Sequence, residues 1–184
     1  MDPVYDPQED SQLIKCFIPL LLEDTPGALV LDMGTGSGIL AEHATYSAGK
    51  IIAVDINPAA IDAVRDLVAE KQLKQIDARV SDFFSNVPEQ FNLIICNPPY
   101  LPADPYLPDP ALDGGREGHE FIVRFLHEAK QHLLPKGKIL LLFSSLSNKE
   151  KILAACDQMQ YAYTELAAEP YFMETLYVYV LWRA

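Results

Sequence analysis

Residues 32–38 read DMGTGSG and follow the compact apolar run ALVL at residues 28–31. A short apolar run of this kind is typical of a buried parallel strand. Gly34, Gly36 and Gly38 occupy every second position, which permits a tight turn and a close approach of the backbone to a ligand. A helix is predicted to follow at residues 39–47. The stretch therefore predicts a strand, a glycine loop and a helix in succession; the alternative is a plain strand-to-helix turn without a ligand.

Strands and helices alternate along the rest of the chain. Further strands are predicted at residues 51–54, 77–80, 91–96 and 137–143, and the polar one at residues 77–80 is expected at a sheet edge. Helices are predicted between residues 10 and 22, with Asp10 or Ser11 as the cap, from residue 57 onward, and at residues 116–134 and 147–158. Two last strands, separated by Glu169 and Pro170, are expected between residues 161 and 182. This order predicts an α/β fold whose parallel sheet has an antiparallel end.

The composition indicates one globular domain over residues 1–184, with 49% hydrophobic and 22% charged residues. The formal net charge of −12, without a Lys or Arg cluster, disfavours direct nucleic-acid binding. Cys16, Cys96 and Cys156 lie far apart and form no disulfide or zinc pattern. The amino terminus lacks the features of a signal peptide, and no apolar run is long enough to cross a bilayer. We expect a cytoplasmic protein without a metal site.

Carboxylates stand at the ends of three predicted strands. Asp32, Asp55 and Asp82 occupy these positions, and Phe83 follows the last of them. Ligands bind at the carboxyl ends of parallel strands where the winding reverses, which is expected between the first and fourth strands. Asp55 is placed to hold two ribose hydroxyls, or alternatively to cap the next helix, and Asp82 could accept a hydrogen bond from an adenine amino group. A positively charged nucleoside cofactor fits these carboxylates better than a pyrophosphate.

Residues 97–100 read NPPY and end the strand predicted at residues 91–96. Neither Pro98 nor Pro99 can donate a ladder hydrogen bond, and Pro99 restricts the backbone of Pro98. The turn therefore offers the Asn97 amide, backbone oxygens without competing N–H groups, and the ring of Tyr100. These groups suit a flat nitrogen group that donates hydrogen bonds, such as an amide or an exocyclic amine. An ordinary proline turn is the alternative.

Four motifs in this order resemble one family: DMGTGSG at residues 32–38, VDINP at 54–58, NPPY at 97–100 and ALDGGREG at 111–118. The chain is similar to the HemK/PrmC family of class I, S-adenosylmethionine-dependent release-factor glutamine methyltransferases. The lead-in VYDPQEDS at residues 4–11 resembles the shorter archaeal and eukaryotic, Mtq2-like branch. The resemblance implies a Rossmann-like, seven-stranded, mostly parallel sheet. It also implies methyl transfer to the side-chain amide nitrogen of a glutamine in the GGQ motif of a peptide chain release factor.

The resemblance also implies roles for individual residues. The residues that would bind S-adenosylmethionine are Ser11, Asp32, Gly34, Gly36, Asp55, Asp82, Phe83 and Asn97. Among these, Ser11 would approach the cofactor carboxylate, Asp55 would hold the ribose, and Asp82 would meet the adenine. The substrate glutamine would be held by Asn97, Pro98, Pro99 and Tyr100. Asn97, Pro98 and Tyr100 form the catalytic set, in which Asn97 and the Pro98 carbonyl would accept the two amide hydrogens. No histidine is assigned a role.

Other functions stay open beside this one. One is an amino-group methyltransferase that acts on adenine in nucleic acid or on protein lysine, since adenine enzymes share the NPPY turn. Another is a catalytically silent methyltransferase fold used for binding. Asp32 stands where the family often has Glu, and residues 111–113 stand where the shorter branch often has Trp, which leaves the protein substrate open. The Mtq2-like resemblance also implies a small zinc-binding, Trm112-like activator that docks on the sheet edge.

Overall fold

A computed structural model describes residues 9–103 and 113–184, with side chains from Asp10 onward. The lead-in at residues 1–8 lies outside the described residues, and so do residues 104–112, which follow the NPPY turn in the sequence. The first two residues of the ALDGGREG motif fall in that second gap, so the motif is described from Asp113 onward.

The described residues form six α-helices, two short 3-10 helices and one seven-stranded sheet. The strands are β1 (Leu29–Met33), β2 (Lys50–Asp55), β3 (Ile76–Val80), β4 (Phe91–Cys96), β5 (Leu133–Ser144), β6 (Tyr161–Tyr171) and β7 (Glu174–Arg183). The helices are α1 (Glu9–Lys15), α2 (Ile18–Leu22), α3 (Ile39–Ala44), α4 (Pro58–Lys71), α5 (Glu120–Ala129) and α6 (Lys149–Gln158). The strand order is β3-β2-β1-β4-β5-β7-β6.

The winding of the sheet reverses next to β1. This strand pairs in parallel with β2 on one side and with β4 on the other. Strands β3 and β5 extend the parallel sheet, whereas β7 and β6 pair antiparallel. Met33 lies opposite Cys96 in the register of β1 and β4, so the glycine loop and Asn97 leave the sheet at the same level. The predicted α/β sheet with an antiparallel end, and the predicted contact between the first and fourth strands, are confirmed.

Helices cover both faces of the central strands, and for this reason those strands are apolar on both faces. On one face Phe125 of α5 packs in a cluster with Phe91. On the other face Ile18 of α2 and Val64 of α4 belong to a second cluster. Full burial of a side chain of this size contributes about 1.5–3 kcal/mol to stability. The core therefore fixes the central strands, and with them the loops at their carboxyl ends.

The amino-terminal helical segment is divided into α1 and α2. Pro19 occupies the first turn of α2, where its missing N–H is tolerated but a continuous helix is not. The prediction of a short or kinked helix is confirmed in this form. Among the described residues, no helix has the length and hydrophobicity needed to cross a membrane.

The helix predicted at residues 116–134 is wrong at both ends. Gly115 and Gly118 have φ angles of 108° and 82°, left-handed conformations that a helix cannot include, and α5 begins only at Glu120. At the other end Leu133 already pairs with Phe91. Strand β5 therefore begins at Leu133, four residues before the predicted position, because the neighbouring strand offers it a partner.

The turn of the carboxyl-terminal hairpin also differs from the prediction. Strand β6 runs through Glu169 and Pro170, and the chain turns at Phe172 and Met173 instead. A proline is tolerated there because β6 lies at the edge of the sheet, where one side of the strand needs no ladder donor. Met173 has a φ angle of 68°, as a tight turn requires.

Candidate active site

The glycine loop is fixed to the end of β2 by backbone hydrogen bonds. The N–H groups of Gly34 and Thr35 both donate to the carbonyl of Val54, each at 2.9 Å. Gly34, Gly36 and Gly38 have φ angles of 72°, 52° and 82°, which other residues rarely adopt. The alternation of glycines in the sequence thus corresponds to a left-handed backbone at each of these positions. The loop is a rigid backbone surface at the point where the sheet reverses its winding.

Asp32 lies buried beneath this loop. Its Oδ2 accepts hydrogen bonds from Thr35 Oγ1 at 2.7 Å and from the Ala41 N–H at 3.0 Å. Its Oδ1 is buried and has no partner in the described part of the chain. Burial raises the pKa of this carboxyl to about 6. An unpartnered buried carboxylate oxygen is unfavourable without a ligand, so this site fits the cationic part of a cofactor.

Asp55 connects the glycine loop to the end of β2. Its Oδ2 accepts from the Gly36 N–H at 3.0 Å, and its Oδ1 accepts from the Asn57 N–H at 2.9 Å. The cap of α4 is Asn57, whose side chain accepts from the Ala59 N–H, so the alternative role of Asp55 as a helix cap is not observed. Each carboxylate oxygen has a second acceptor position, which leaves Asp55 able to bind ribose hydroxyls.

Ile56 is a candidate that the sequence does not single out. It follows Asp55 directly and is 67% exposed, which is unusual for a large aliphatic side chain next to a buried strand. An exposed aliphatic side chain beside this carboxylate offers an apolar surface to a ligand bound at the end of β2. The position after the strand-ending carboxylate is the signal that could have identified it.

Asp82 and Phe83 lie together at the end of β3, beside an arginine that the sequence gives no reason to expect. The Arg124 guanidinium stands 4.2 Å from the centre of the Phe83 ring and 3.3 Å from the Asp82 carboxylate. Phe83 also packs on Phe121, with ring centres 4.6 Å apart. The predicted adenine site is thus bordered by α5. It lies two strands from β1, at the outer side of the cleft.

The NPPY corner is held by the glycines of the ALDGGREG motif. The Gly114 N–H donates to the Leu101 carbonyl at 2.9 Å. A Cβ atom at Gly114 would lie 2.8 Å from the Pro99 oxygen, and one at Gly118 would lie 2.7 Å from the Tyr100 oxygen. Both approaches are too short for any side chain. These glycines therefore support the proline corner, a role that the resemblance alone did not specify.

A serine fixes the far side of the same corner. Ser147 is fully buried, and its hydroxyl donates to the Tyr100 carbonyl at 2.8 Å. The Tyr100 carbonyl is thereby held by a residue outside both the NPPY and the ALDGGREG motifs. The proline pair limits the backbone angles, and these contacts select one arrangement among those that remain.

Asn97 presents a buried oxygen without a partner. Its Nδ2 donates to Asp10 Oδ2 at 2.9 Å, whereas its Oδ1 is buried and accepts no hydrogen bond within the described residues. Asp10 and Ser11, from α1, are 3% and 2% exposed. The structure thus brings Ser11 to the region of Asn97, as the predicted site requires, and adds Asp10, which the sequence suggests only as a helix cap. The unpartnered oxygen suits a ligand that donates an N–H group.

Comparison with known sequences identifies methyltransferases as relatives of this chain. A family model described as the methyltransferase small domain matches residues 15–168. A Methanocaldococcus jannaschii protein named "Putative protein N5-glutamine methyltransferase" is 36% identical over 156 residues, which cover 80% of this chain and 76% of that protein. A release factor glutamine methyltransferase of Cereibacter sphaeroides is 36% identical over 129 residues, which cover 63% of this chain. The alignment covers 46% of that bacterial relative, so the chain spans less than half of its length.

Solved structures share the fold. A structure described as the E. cuniculi Mtq2-Trm112 complex, responsible for methylation of the eRF1 translation termination factor, superposes with a TM-score of 0.78. The superposition covers 98% of both chains at 23% sequence identity. The predicted class I methyltransferase fold is therefore confirmed.

Proposed function

The chain belongs to the methyltransferase small domain family, and from that premise we propose that it methylates the side-chain amide of a glutamine in a translation release factor. The proposed methyl donor is S-adenosylmethionine, and the proposed target is the glutamine of the GGQ motif. The M. jannaschii relative, at 36% identity over most of both chains, is named for glutamine methylation and supports this acceptor. Residues 1–184 are proposed to be one domain that acts in the cytoplasm.

The observation that carries the proposal is the unpartnered Oδ1 of Asn97. A glutamine amide carries two N–H groups, and the NPPY corner offers two acceptors, this oxygen and the Pro98 carbonyl. An amide nitrogen is a weak nucleophile because its lone pair is delocalised into the carbonyl. Two acceptors orient the amide and favour the positive charge that grows on the nitrogen during transfer. No dedicated base is needed, since the nitrogen becomes acidic as it is alkylated.

The remaining proposed site residues hold the cofactor. S-adenosylmethionine, when bound, supplies a methyl group on a positively charged sulfur. Asp32 offers a buried carboxylate oxygen to the cationic part of the cofactor, next to the backbone of Gly34 and Gly36. Asp55 is proposed to accept from the ribose hydroxyls, with Ile56 against the base. Rigid alignment of acceptor and donor can contribute several kcal/mol, up to about 7–11 kcal/mol in ideal intramolecular reactions.

Further proposed contacts complete this assignment. Ser11 approaches the carboxylate of the cofactor, and Asp82 with Phe83 receives the adenine. Pro99 and Tyr100 pack against the substrate beside Asn97. These assignments are supported by the common position of the residues at the carboxyl edge of the sheet or, for Ser11, beside Asn97.

Two macromolecular partners are proposed. The first is the release factor itself. The second is a small zinc-binding, Trm112-like activator, and β3 supports this partner because it is an edge strand whose Val80 is 39% exposed. The formal charge of −12 disfavours nucleic acid as the substrate.

Transfer of tritium from labelled S-adenosylmethionine tests the proposal. Release factor, release factor with the GGQ glutamine changed to alanine, DNA and a lysine-containing peptide serve as acceptors, each with and without a Trm112-like protein. Label on the first acceptor alone supports the proposal. Label on DNA or on the lysine peptide supports the amino-group alternatives. Cofactor binding without transfer to any acceptor would indicate a silent binding protein.

A further inference from the structure

We propose that Asp10 is a positioning residue that fixes the Asn97 side chain with its carbonyl oxygen toward the cleft. The inference deepens the function proposed above and rests on it for its consequence in catalysis. The orientation itself is a property of this chain and can be measured without any substrate.

The contact that carries the inference joins two distant parts of the chain. Asn97 Nδ2 donates to Asp10 Oδ2 at 2.9 Å, and 87 positions in the sequence separate the two residues. Asp10 is 3% exposed, so little water competes for its carboxylate. Helix α1 thereby reaches the end of β4. A buried hydrogen bond to a charged group is stronger than one between neutral groups, so it can select one of two orientations of an amide.

The chemistry of the two groups determines which way the amide points. A carboxylate only accepts hydrogen bonds, so the atom of Asn97 that faces Asp10 must be the NH2 group. The carbonyl oxygen must then face the opposite direction, where Oδ1 is buried without a partner among the described residues. The opposite orientation would place an oxygen against a carboxylate and an NH2 group toward the substrate amide. Both contacts would be repulsive.

The second oxygen of Asp10 has a hydrogen-bond donor of its own, which fixes how the Asp10 side chain is oriented. The Ser11 N–H donates to Asp10 Oδ1 at 2.6 Å. In an Asp10→Asn variant the carbonyl oxygen of residue 10 would remain with this N–H donor, and its NH2 group would face Asn97. Asn97 would then have to rotate its amide and present NH2 to the cleft. The substitution preserves the shape of the side chain and reverses the polarity of the site.

A second substitution restores the polarity. In the double variant Asp10→Asn and Asn97→Asp, the NH2 group at position 10 donates to one oxygen at position 97. The other oxygen at position 97 again faces the cleft as an acceptor. A purely structural role for Asp10 would instead lower the melting temperature of the single variant and restore it in the double variant, with kcat changing only as far as stability does.

The test compares the full-length wild type, Asp10→Asn, the double variant and Asp24→Asn as a matched control. Asp24 is exposed, and its substitution changes the net charge by the same amount. We expect Asp10→Asn to lower kcat for release-factor methylation about 10²-fold, as loss of one oriented catalytic hydrogen bond does. Its affinity for S-adenosylmethionine and its melting temperature should stay near those of Asp24→Asn. The double variant should recover about tenfold, the equivalent of one hydrogen bond.

A measurement on the free protein keeps the inference separate from the proposed function. Nuclear magnetic resonance should detect a coupling across the hydrogen bond from Asn97 Nδ2 to the Asp10 carboxyl carbon, and Asp10→Asn should abolish it. A wild type that shows this coupling but leaves release factor unmethylated would contradict the proposed function and support the orientation. Absence of the coupling, or an active wild type whose Asp10→Asn variant keeps its kcat, would overturn the inference.

Discussion

The glycine loop and the NPPY corner leave neighbouring strands at the same level, yet they are built in different ways. The glycine loop is held by backbone hydrogen bonds to the adjacent strand β2. The NPPY corner is held by groups distant in sequence, among them Gly114, Ser147 and Asp10. Within the part of the chain that the structure describes, each region contains one buried oxygen without a partner, on Asp32 in the first and on Asn97 in the second.

The two oxygens differ in charge, and each therefore favours a different kind of ligand. The Asp32 oxygen belongs to a carboxylate and therefore favours a cationic partner. The Asn97 oxygen is neutral and favours an N–H donor that carries little charge before the reaction. A charged acceptor at position 97 would in addition attract an ammonium group. We propose on this ground that one side of the cleft selects the cofactor and the other selects the acceptor, so substitutions on the two sides should have separate effects.

The largest expected effect is on the acceptor side. Asn97→Ala should lower kcat about 10²–10³-fold, because it removes an oriented hydrogen bond that strengthens as charge develops on the substrate nitrogen. Steady-state kinetics with release factor measures this loss. The dissociation constant of the cofactor, from calorimetry, should change far less than kcat. A comparable loss of cofactor affinity would show that the two sides are not independent.

Two glycine-to-alanine variants test how each region is built. Gly114→Ala places a Cβ atom 2.6 Å from the Gly118 oxygen, so it should displace the corner, destabilise the protein by about 1–3 kcal/mol and reduce kcat. Gly34→Ala meets no atom within 4 Å, and its cost should be only the strain of its φ angle of 72°, about 1–2 kcal/mol. Urea unfolding and kinetics on both variants provide the comparison. A Gly114→Ala variant with the stability and kcat of the wild type would contradict the supporting role of Gly114.

The pH dependence of stability tests the cofactor side. The pKa of Asp32 is raised from 3.8 to about 6 by burial, so the folded protein binds this proton more tightly than the unfolded chain. The contribution of Asp32 to stability should therefore fall as pH rises from about 4 to about 6, by at most about 3 kcal/mol. Urea unfolding of the wild type and of Asp32→Asn across this range isolates this contribution, since the difference between the two slopes comes from Asp32. An unchanged slope in Asp32→Asn would assign the pH dependence to another group.

The smallest effects are expected at the proposed adenine site. Asp82→Asn should weaken cofactor binding by about two- to tenfold, the range of one hydrogen bond. Arg124→Ala removes an exposed ion pair and should change the free energy of unfolding by less than about 1 kcal/mol. The Arg124→Ala substitution should not weaken binding of the cofactor, because Arg124 is not proposed to bind it. Calorimetric titration of both variants with the cofactor distinguishes these outcomes. A greater loss of cofactor affinity in Arg124→Ala than in Asp82→Asn would assign adenine binding to Arg124 and contradict the role proposed for Asp82.

The central sheet was predictable because its strands are apolar on both faces and end in glycine, carboxylate or proline. The four motifs gave the family resemblance, and glutamine methyltransferase relatives confirm the likeness to the HemK/PrmC family. The predicted ends of helices and strands were wrong where pairing with a neighbouring strand determines where an element begins or ends. Leu133 resembles the end of an amphipathic helix, but it pairs with Phe91 in the sheet. Pro170 resembles a turn residue, but the sheet edge accommodates it.

The contacts around the NPPY corner were not predictable for a different reason. Asp10 has the sequence pattern of a helix cap, and nothing nearby in the chain indicates that it meets Asn97. Gly114 and Gly118 indicate a turn but not the proline carbonyls that they accommodate. Arg124 lies on an amphipathic helix whose exposed face is usually solvated. Pairings between residues distant in sequence depend on the folded structure, and local periodicity does not contain them.

Mass spectrometry of release factor after incubation with the protein and S-adenosylmethionine tests the central claim most directly. We predict one added methyl group on the GGQ glutamine side chain with the wild type and little or none with Asn97→Ala. A methyl group on a lysine, or equal methylation by the two proteins, would contradict it.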